Sequence, residues 1–351
     1  MPELTVFGRS AKPIKIEVFA KTDLGRTRDH NEDKFLIADL TKKAASLLPE
    51  VRRHDIGPRG TLLVVADGMG GAAAGELASE MATDTIYAHL VKTWNAEGEA
   101  TPQRFAYRLK EAVEVANSSI HAHAKAHPEL RGMGTTTTAA GVLNDHLYLT
   151  QVGDSRAYLI RGGEAHQLTK DQSLMQRLVE AGELTEEEAA HSERRNIILQ
   201  ALGPDPKVKV DLTHQEMRRG DILVLCSDGL SGQVKREEIA RIVTSAKDLG
   251  TACDQLIALA NERGGPDNIT VVIARFDGDG LRYSGGGPQE DVGHQVYPLI
   301  DTETSTEPVP VYKGSRPPVP NKEASRDRAR TYLLVVLAVA AALVWFLTRA
   351  Q

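Results

Sequence analysis

Acidic residues stand beside several apolar stretches of this sequence, mostly next to a glycine. They are Glu32 and Asp33 in HNEDKF, Asp67 in VVADGMGG, Asp154 in QVGDSR, Asp228 in LCSDGLSG and Asp267 in GGPDN. A carboxylate at a strand end can point into a shared cleft, and a neighbouring glycine lets backbone and ligand approach closely. One Asp-Gly pair is most often only a turn. Its repetition after apolar runs indicates a functional cluster.

The chemistry of such a cluster follows from its charge. Four or five carboxylates without interleaved Arg or Lys repel one another unless cations neutralise them. Oxygen-only ligands select Mg²⁺ or Mn²⁺, whereas zinc sites use His or Cys. Two such ions about 3.5–4 Å apart can activate a water and clamp a phosphoryl group for in-line attack. Arg28, four residues before Glu32, is best placed to bind phosphate, unless it is a solvated loop arginine.

The elements that must position these residues alternate irregularly. Residues 61–66 read as a buried strand, and residues 72–94 and 105–127 read as two long helices. Between residues 135 and 168, β-rich runs are joined by short turns. Hairpin-linked strands without regular βαβ alternation predict an α+β fold with antiparallel sheets.

Composition divides the chain into three parts. Residues 14–276 read as one globular domain, and residues 277–331, rich in Gly, Pro, Ser and Thr, read as a flexible linker. Residues 332–348 carry no charge and predict a single C-terminal transmembrane helix of roughly 25 Å. Three arginines precede this run, one follows it, and the N-terminus resembles no signal peptide. We therefore expect a single-pass protein of the inner cell membrane with a cytoplasmic catalytic domain.

Other function classes find little support. A net charge of −6 argues against nucleic-acid binding, and two separated cysteines exclude a disulfide framework and a Cys-type zinc site. Neither GxxxxGK[ST] nor GxSxG occurs, which excludes a P-loop hydrolase and a serine-hydrolase elbow. His121, His123 and His127 are most simply part of a solvated helix.

Seven motifs resemble the metal-dependent Ser/Thr protein phosphatases of the protein phosphatase 2C (PPM) type, in its bacterial branch. They are TDLGRTRDHNED, VVADGMGG, GMGTT, VGDSRAYLI, LTKDQSL, LCSDGLSG and GGPDNITVV, in order within residues 14–276. The resemblance implies a sandwich of two antiparallel β-sheets flanked by antiparallel helix pairs. It also implies hydrolysis of phosphoserine and phosphothreonine in proteins by a water that two metal ions activate.

The resemblance also implies a ligand set for two catalytic Mn²⁺ or Mg²⁺ ions. Asp67 would bridge the two ions. Asp228 and Asp267 would be the other ligands of the first ion. Glu32 and the carbonyl of Gly68 would be the other ligands of the second ion.

Further roles follow from the same resemblance. Asp154, with Asp228, would hold a third ion, as in many bacterial members. Arg28 would bind the substrate phosphate, and Asp33 and Asn268 would support the ligands. The expected partners are phosphorylated proteins, namely Ser/Thr kinases and their targets.

The sequence departs from the family pattern in two places. Met69 stands where eukaryotic members usually have a histidine that protonates the leaving group, so we expect a metal-bound water to do this. Residues 39–60 form a longer insert than the bacterial pattern needs. Residues 169–200 match the mobile flap that influences substrate choice.

Two alternative functions stay open: a non-catalytic phosphopeptide-binding module of this fold, and a phosphatase for small phosphoesters.

Overall fold

The computed structural model describes residues 12–283 and 292–299. The strands in these ranges are β1 (Lys15–Asp23), β2 (Asp33–Asp39), β3 (Ala44–Ala45), β4 (Arg53–Asp55), β5 (Thr61–Met69), β6 (Gly134–Thr135), β7 (Thr137–Leu143), β8 (His146–Val152), β9 (Arg156–Arg161), β10 (Glu164–Gln167), β11 (Asp211–Glu216), β12 (Arg218–Arg219), β13 (Ile222–Cys226), β14 (Ile269–Asp277) and β15 (Arg282–Tyr283).

Two long helices and six shorter ones accompany these strands in the described ranges. They are α1 (Pro49–Arg52), α2 (Ala72–Thr93), α3 (Pro102–Ala126), α4 (Leu174–Glu180), α5 (Glu186–Ala190), α6 (Asp228–Ser231), α7 (Arg236–Ser245) and α8 (Leu249–Glu262). The Thr101 hydroxyl caps α3 by accepting a hydrogen bond from the Arg104 amide, and a proline opens the first turn.

The strands form two antiparallel sheets. The first sheet has the order β10-β9-β13-β14-β1-β4. The second has the order β11-β8-β7-β5-β2-β3, and β6 extends it beside the end of β5. This confirms the predicted α+β class with two antiparallel sheets and flanking helices. One small pair, β12 with β15, is parallel.

The two sheets pack face to face, with helices on both outer surfaces. In β5, Leu63 and Val65 face the core between the sheets, whereas Leu62, Val64 and Ala66 face α2 and α3. In β14, alternate residues likewise face the inner core and the core under α7 and α8. This period of two explains why both strands read as continuous apolar runs: each face is buried.

The insert between β2 and β5 is built into the fold. Its residues form β3, α1 and β4, and β4 pairs with β1 at the edge of the first sheet. His54 is buried there, with one ring nitrogen 2.8 Å from the Val51 carbonyl and the other 2.7 Å from the Thr61 hydroxyl. The insert therefore closes one edge of the sandwich.

The C-terminal predictions fall mainly on residues that the structure does not describe. The predicted transmembrane helix at residues 332–348 and most of the predicted linker lie outside the described ranges. Within residues 12–283 and 292–299, no helix combines the length and apolar character needed to cross a bilayer. The described pieces of the linker differ from a free tether: β15 pairs with β12, and residues 292–299 run beside β11. Backbone pairing and a few apolar side chains hold them there.

Candidate active site

The predicted carboxylates converge at one end of the sandwich. Asp33 begins β2 and lies opposite Asp67 near the end of β5. In the other sheet β13 and β14 are neighbours, with Asp228 just after one and Asp267 just before the other. Antiparallel pairing brings Asp33 beside Asp67 in one sheet and Asp228 near Asp267 in the other. The face-to-face packing of the two sheets then brings these pairs to the same end, so that Asp33 and Asp228, 195 positions apart in sequence, lie close together.

Asn268 and Ser227 join the elements that carry these acids. The Asn268 side chain donates to the carbonyls of Leu24 and His30, at 2.9 Å each, and accepts from the Glu32 amide at 2.8 Å. The Ser227 hydroxyl donates to Asp33 Oδ2 at 2.8 Å. These bonds fix the loop before β2 against the first sheet.

Glu32 lies in a cradle made by two glycines and a serine. The Ser79 hydroxyl and the Gly68 amide donate to the Glu32 carbonyl, at 2.6 and 3.2 Å. A Cβ atom on Gly75 would stand 2.1 Å from Glu32 Oε2, and one on Gly68 would stand 2.7 Å from the Glu32 carbonyl. Gly75 therefore leaves the space that the Glu32 carboxylate fills. Its sequence signal is a glycine inside the helical run 72–94.

Gly75→Ala is expected to reduce phosphatase activity roughly 10–100-fold, because the added methyl displaces the Glu32 carboxylate. Helix propensity alone favours alanine by about 1 kcal/mol, so helix destabilisation would not explain a loss. Steady-state kinetics and thermal unfolding measure the two effects. Gly250→Ala in α8 is the matched control, since its methyl meets nothing closer than 3.3 Å. Unchanged kinetics of Gly75→Ala would contradict the cradle.

Burial and mutual repulsion set the protonation of the cluster. Burial raises the pKa of Asp33 to about 7 and that of Asp154 to about 8, with the charge of Asp228 adding to both. The pKa of Asp67 lies well above its ordinary value because of burial and the charges of Asp33 and Asp228. Burial and the charge of Asp267 raise the pKa of Asp228, partly offset by a hydrogen bond with Asp67. At neutral pH the cluster therefore holds protons that a cation could replace.

Oxygens of this cluster lack protein partners. Among the described residues, Asp33 Oδ1, Asp154 Oδ1 and Asp228 Oδ1 are buried without a hydrogen bond. A buried carboxylate oxygen without a donor is costly, and a hard cation would satisfy it. Within residues 12–283 and 292–299, however, no three His, Cys, Asp or Glu side chains form a ready metal-binding group. The donor set thus fits hard cations in chemistry, and a bound ion would draw its oxygens together.

Arg28 lies beside the cluster, as its predicted role requires. Its Nη2 donates to Asp267 Oδ2 at 2.8 Å, and about half of its side chain is exposed. Of the four main predicted ligands Glu32, Asp67, Asp228 and Asp267, the last is thus paired with a base. Burial raises the pKa of Glu32, and the nearby charge of Arg28 partly offsets this shift.

A second arginine, which the sequence analysis missed, borders the same cleft. Arg156 binds Asp171 through Nε at 2.9 Å and Nη2 at 2.6 Å. Both residues belong to quoted motifs, VGDSRAYLI and LTKDQSL, which are the signal that could have identified them. The pair ties β9 to the start of the flap, next to Asp154.

Three acids of the cluster, Asp154, Asp228 and Asp267, line a cleft of about 530 Å³ together with Arg28 and Arg156. Most of the remaining lining comes from the flap and from residues 229–237. A cleft lined by acids and by a half-exposed arginine can bind divalent ions beside a phosphate group.

The three helical histidines lie elsewhere. His121 Nδ1 is 2.8 Å from the Gly203 carbonyl, and the rings of His123 and His127 stack with centroids 4.2 Å apart. They belong to no metal-binding group in the part of the chain that the structure describes.

Comparison with known proteins places this geometry in context. Residues 52–261 match the family model described as protein phosphatase 2C. The serine/threonine phosphatase stp of Listeria monocytogenes is 36% identical over 268 residues, which cover 73% of this chain and 94% of that protein.

Solved structures agree in fold. The serine/threonine phosphatase PstP/Ppp of Mycobacterium tuberculosis superposes with a TM-score of 0.63 at 38% identity, covering 75% of this chain and 99% of that one. The catalytic domain of PstP in complex with 2 manganese ions superposes with a TM-score of 0.60 at 37% identity, with the same coverage.

Proposed function

We propose that this chain, which belongs to the protein phosphatase 2C family, hydrolyses phosphoserine and phosphothreonine in proteins with the help of divalent metal ions. The observation that carries the proposal is the convergence of buried, mutually repelling aspartates at one end of the sandwich, beside a half-exposed arginine. Relatives that are named serine/threonine phosphatases support the substrate class.

The ligand assignment is part of this proposal. Asp67 would be a ligand of both Mn²⁺ or Mg²⁺ ions. Asp228 and Asp267 would be the other protein ligands of one ion, and Glu32 and the Gly68 carbonyl those of the other. The two manganese ions bound to the PstP catalytic domain support the number of ions. The unpartnered oxygen of Asp228 and the glycine cradle of Glu32 support the positions.

A third ion would bind at Asp154 with Asp228. The support is that Asp154 Oδ1 is buried without a partner and that the Asp228 charge raises the Asp154 pKa. Its location beside the Arg156–Asp171 pair would link it to the flap.

When bound, such ions supply an activated water and neutralise charge on the phosphoryl group. The protein's own side chains would bind the phosphate and hold the acidic residues in place. Arg28, held by Asp267 and open to the cleft, would bind the phosphate oxygens. Asn268 and Ser227 keep Glu32 and Asp33 in place. Met69, at the position of a eukaryotic histidine, offers no proton, so the leaving group would take its proton from water.

The site of action is also proposed from the sequence. The uncharged run 332–348, with three arginines before it and one after, would anchor the chain in the inner membrane with the catalytic unit in the cytoplasm. Membrane-attached Ser/Thr kinases and their targets would then be the nearest phosphorylated proteins.

Three substrates test the function. With Mn²⁺, a phosphothreonine peptide should be hydrolysed with a higher kcat/KM than small phosphorylated metabolites, and p-nitrophenyl phosphate should also react. EDTA should stop all turnover, and added Mn²⁺ should restore it. Binding of the peptide without turnover would instead support a phosphopeptide-binding module, and a preference for metabolites would support a small-phosphoester phosphatase.

A further inference from the structure

A short segment beyond the last long strand lies along the outer strand of the second sheet. The His214 amide donates to the Gln295 carbonyl and the Tyr297 amide donates to the Leu212 carbonyl, each at 2.9 Å. Residues 292–299, called the strap below, thus run antiparallel to β11. They cover a strand that would otherwise be the edge of this sheet.

The Tyr297 side chain anchors the strap by ring contacts with the second sheet. Its ring stands edge-on to Tyr148, with centroids 5.3 Å apart, and edge-on to His214 at 5.1 Å. It also packs against the core between the second sheet and helices α2 and α3. The preceding residue, Val296, is 69% exposed. The strap is therefore held by backbone pairing, by the Tyr297 ring, and by Val292 and Leu299, which also pack against the cores.

The strap and the flap helix α4 face each other across a groove of about 760 Å³. His294 and Tyr297 line it from the strap, and Arg177 and Glu180 line it from α4. Other residues of α4, such as Met175, line the catalytic cleft. Helix α4 thus separates the groove under the strap from the cleft that a protein substrate enters.

Gln172, at the root of the flap, connects β11 to the active site. Its side chain donates to Asp211 Oδ2 at 2.9 Å and accepts from the Gly153 amide at 3.0 Å. Its backbone amide donates to the Gly153 carbonyl at 2.8 Å. Gly153 directly precedes Asp154, and Asp211 directly precedes Leu212, whose carbonyl the strap binds. One continuous set of bonds therefore runs from Tyr297 to the base of the flap.

We infer that the strap holds the root of the flap, and that Tyr297 is a positioning residue for protein substrates. By fixing β11, it fixes Gln172 and the start of α4, which forms a wall of the cleft. A phosphopeptide extends along that wall, whereas p-nitrophenyl phosphate needs only the base of the cleft. Loss of the strap contact should therefore affect peptide substrates selectively. The inference rests on the proposed function.

Tyr297→Ala in the full chain tests this inference. We expect KM for a phosphothreonine peptide to rise roughly 3–10-fold, with p-nitrophenyl phosphate kinetics within about twofold of the unmodified protein. Amide hydrogen exchange of residues 172–180 should rise several-fold while that of β14 stays unchanged. Tyr297→Phe keeps the ring and should restore both properties. Val296→Ala, in the same segment but exposed, is the matched control.

The outcomes separate the two levels of inference. Equal changes for both substrates with a general rise in exchange would show a merely stabilising strap and overturn the positioning role. Unchanged peptide KM and exchange in Tyr297→Ala would also overturn it, while activity of the unmodified protein would leave the proposed function intact. Absence of turnover in the unmodified protein would refute the function, and the exchange measurement would still test the strap.

Discussion

Asp67→Asn and Asp228→Asn are each expected to reduce Mn²⁺-dependent hydrolysis of p-nitrophenyl phosphate by on the order of 10³-fold or more. Both residues lie where the ends of the two sheets meet, and burial and neighbouring charges raise both pKa values. Asparagine keeps the size of the side chain but carries no charge to hold a cation. Steady-state rates at saturating Mn²⁺ measure the effect.

The same substitutions should stabilise the metal-free protein. Each removes a carboxylate from a self-repelling cluster, so in EDTA the melting temperature should rise by roughly 2–4 °C for each kcal/mol of repulsion removed. Asp84→Asn, on the exposed face of α2, is the control and should change neither property. A near-normal rate in Asp67→Asn or Asp228→Asn, or loss of the folded state, would contradict this account of the cluster.

Mn²⁺ should stabilise the fold strongly at pH 8 and weakly at pH 6. At a concentration 100 times its dissociation constant, one bound ion adds about 2.7 kcal/mol to the free energy of unfolding, or roughly 5–10 °C. The pKa values of Asp33 and Asp154, about 7 and about 8, lie above those of an unfolded chain. Protons therefore compete with Mn²⁺ increasingly as the pH falls through this window.

The stability of the metal-free protein is expected to change with pH in the opposite direction to the stabilisation by Mn²⁺. Because the folded state binds more protons at these aspartates than the unfolded chain does, its stability should fall as the pH rises from about 5 to 8. Melting curves with Mn²⁺ and with EDTA should thus converge at low pH and diverge at high pH. Parallel curves, or equal curves at pH 8, would show that the carboxylate cluster holds no ion.

The acids at the strand ends could be located from the sequence because the end of an apolar run indicates where a buried strand ends. Asp67 and Asp228 each follow such a run, and the packing of the two sheets against each other brings them together. The strand β5 continues to Met69, past the predicted end at Ala66, since β6 pairs with its last residues. That pairing involves residues more than 60 positions away, and local patterns do not reveal it.

Supporting groups were harder to predict for two physical reasons. Gly75 matters through the space it leaves for a side chain of another element, which only tertiary packing defines. The strap lies in a stretch rich in Gly, Pro, Ser and Thr, where isolated apolar residues such as Tyr297 show no periodicity. Its pairing with β11 depends on an edge that exists only after the sheet has formed.

The number of Mn²⁺ ions bound per chain tests the central claim most directly. Equilibrium dialysis at pH 8 with metal analysis should find at least two ions bound to the unmodified protein. Asp228→Asn should bind fewer ions, or bind them more weakly. Fewer than two bound ions on the unmodified protein, or identical binding by Asp228→Asn, would contradict the assignment of these acids as metal ligands.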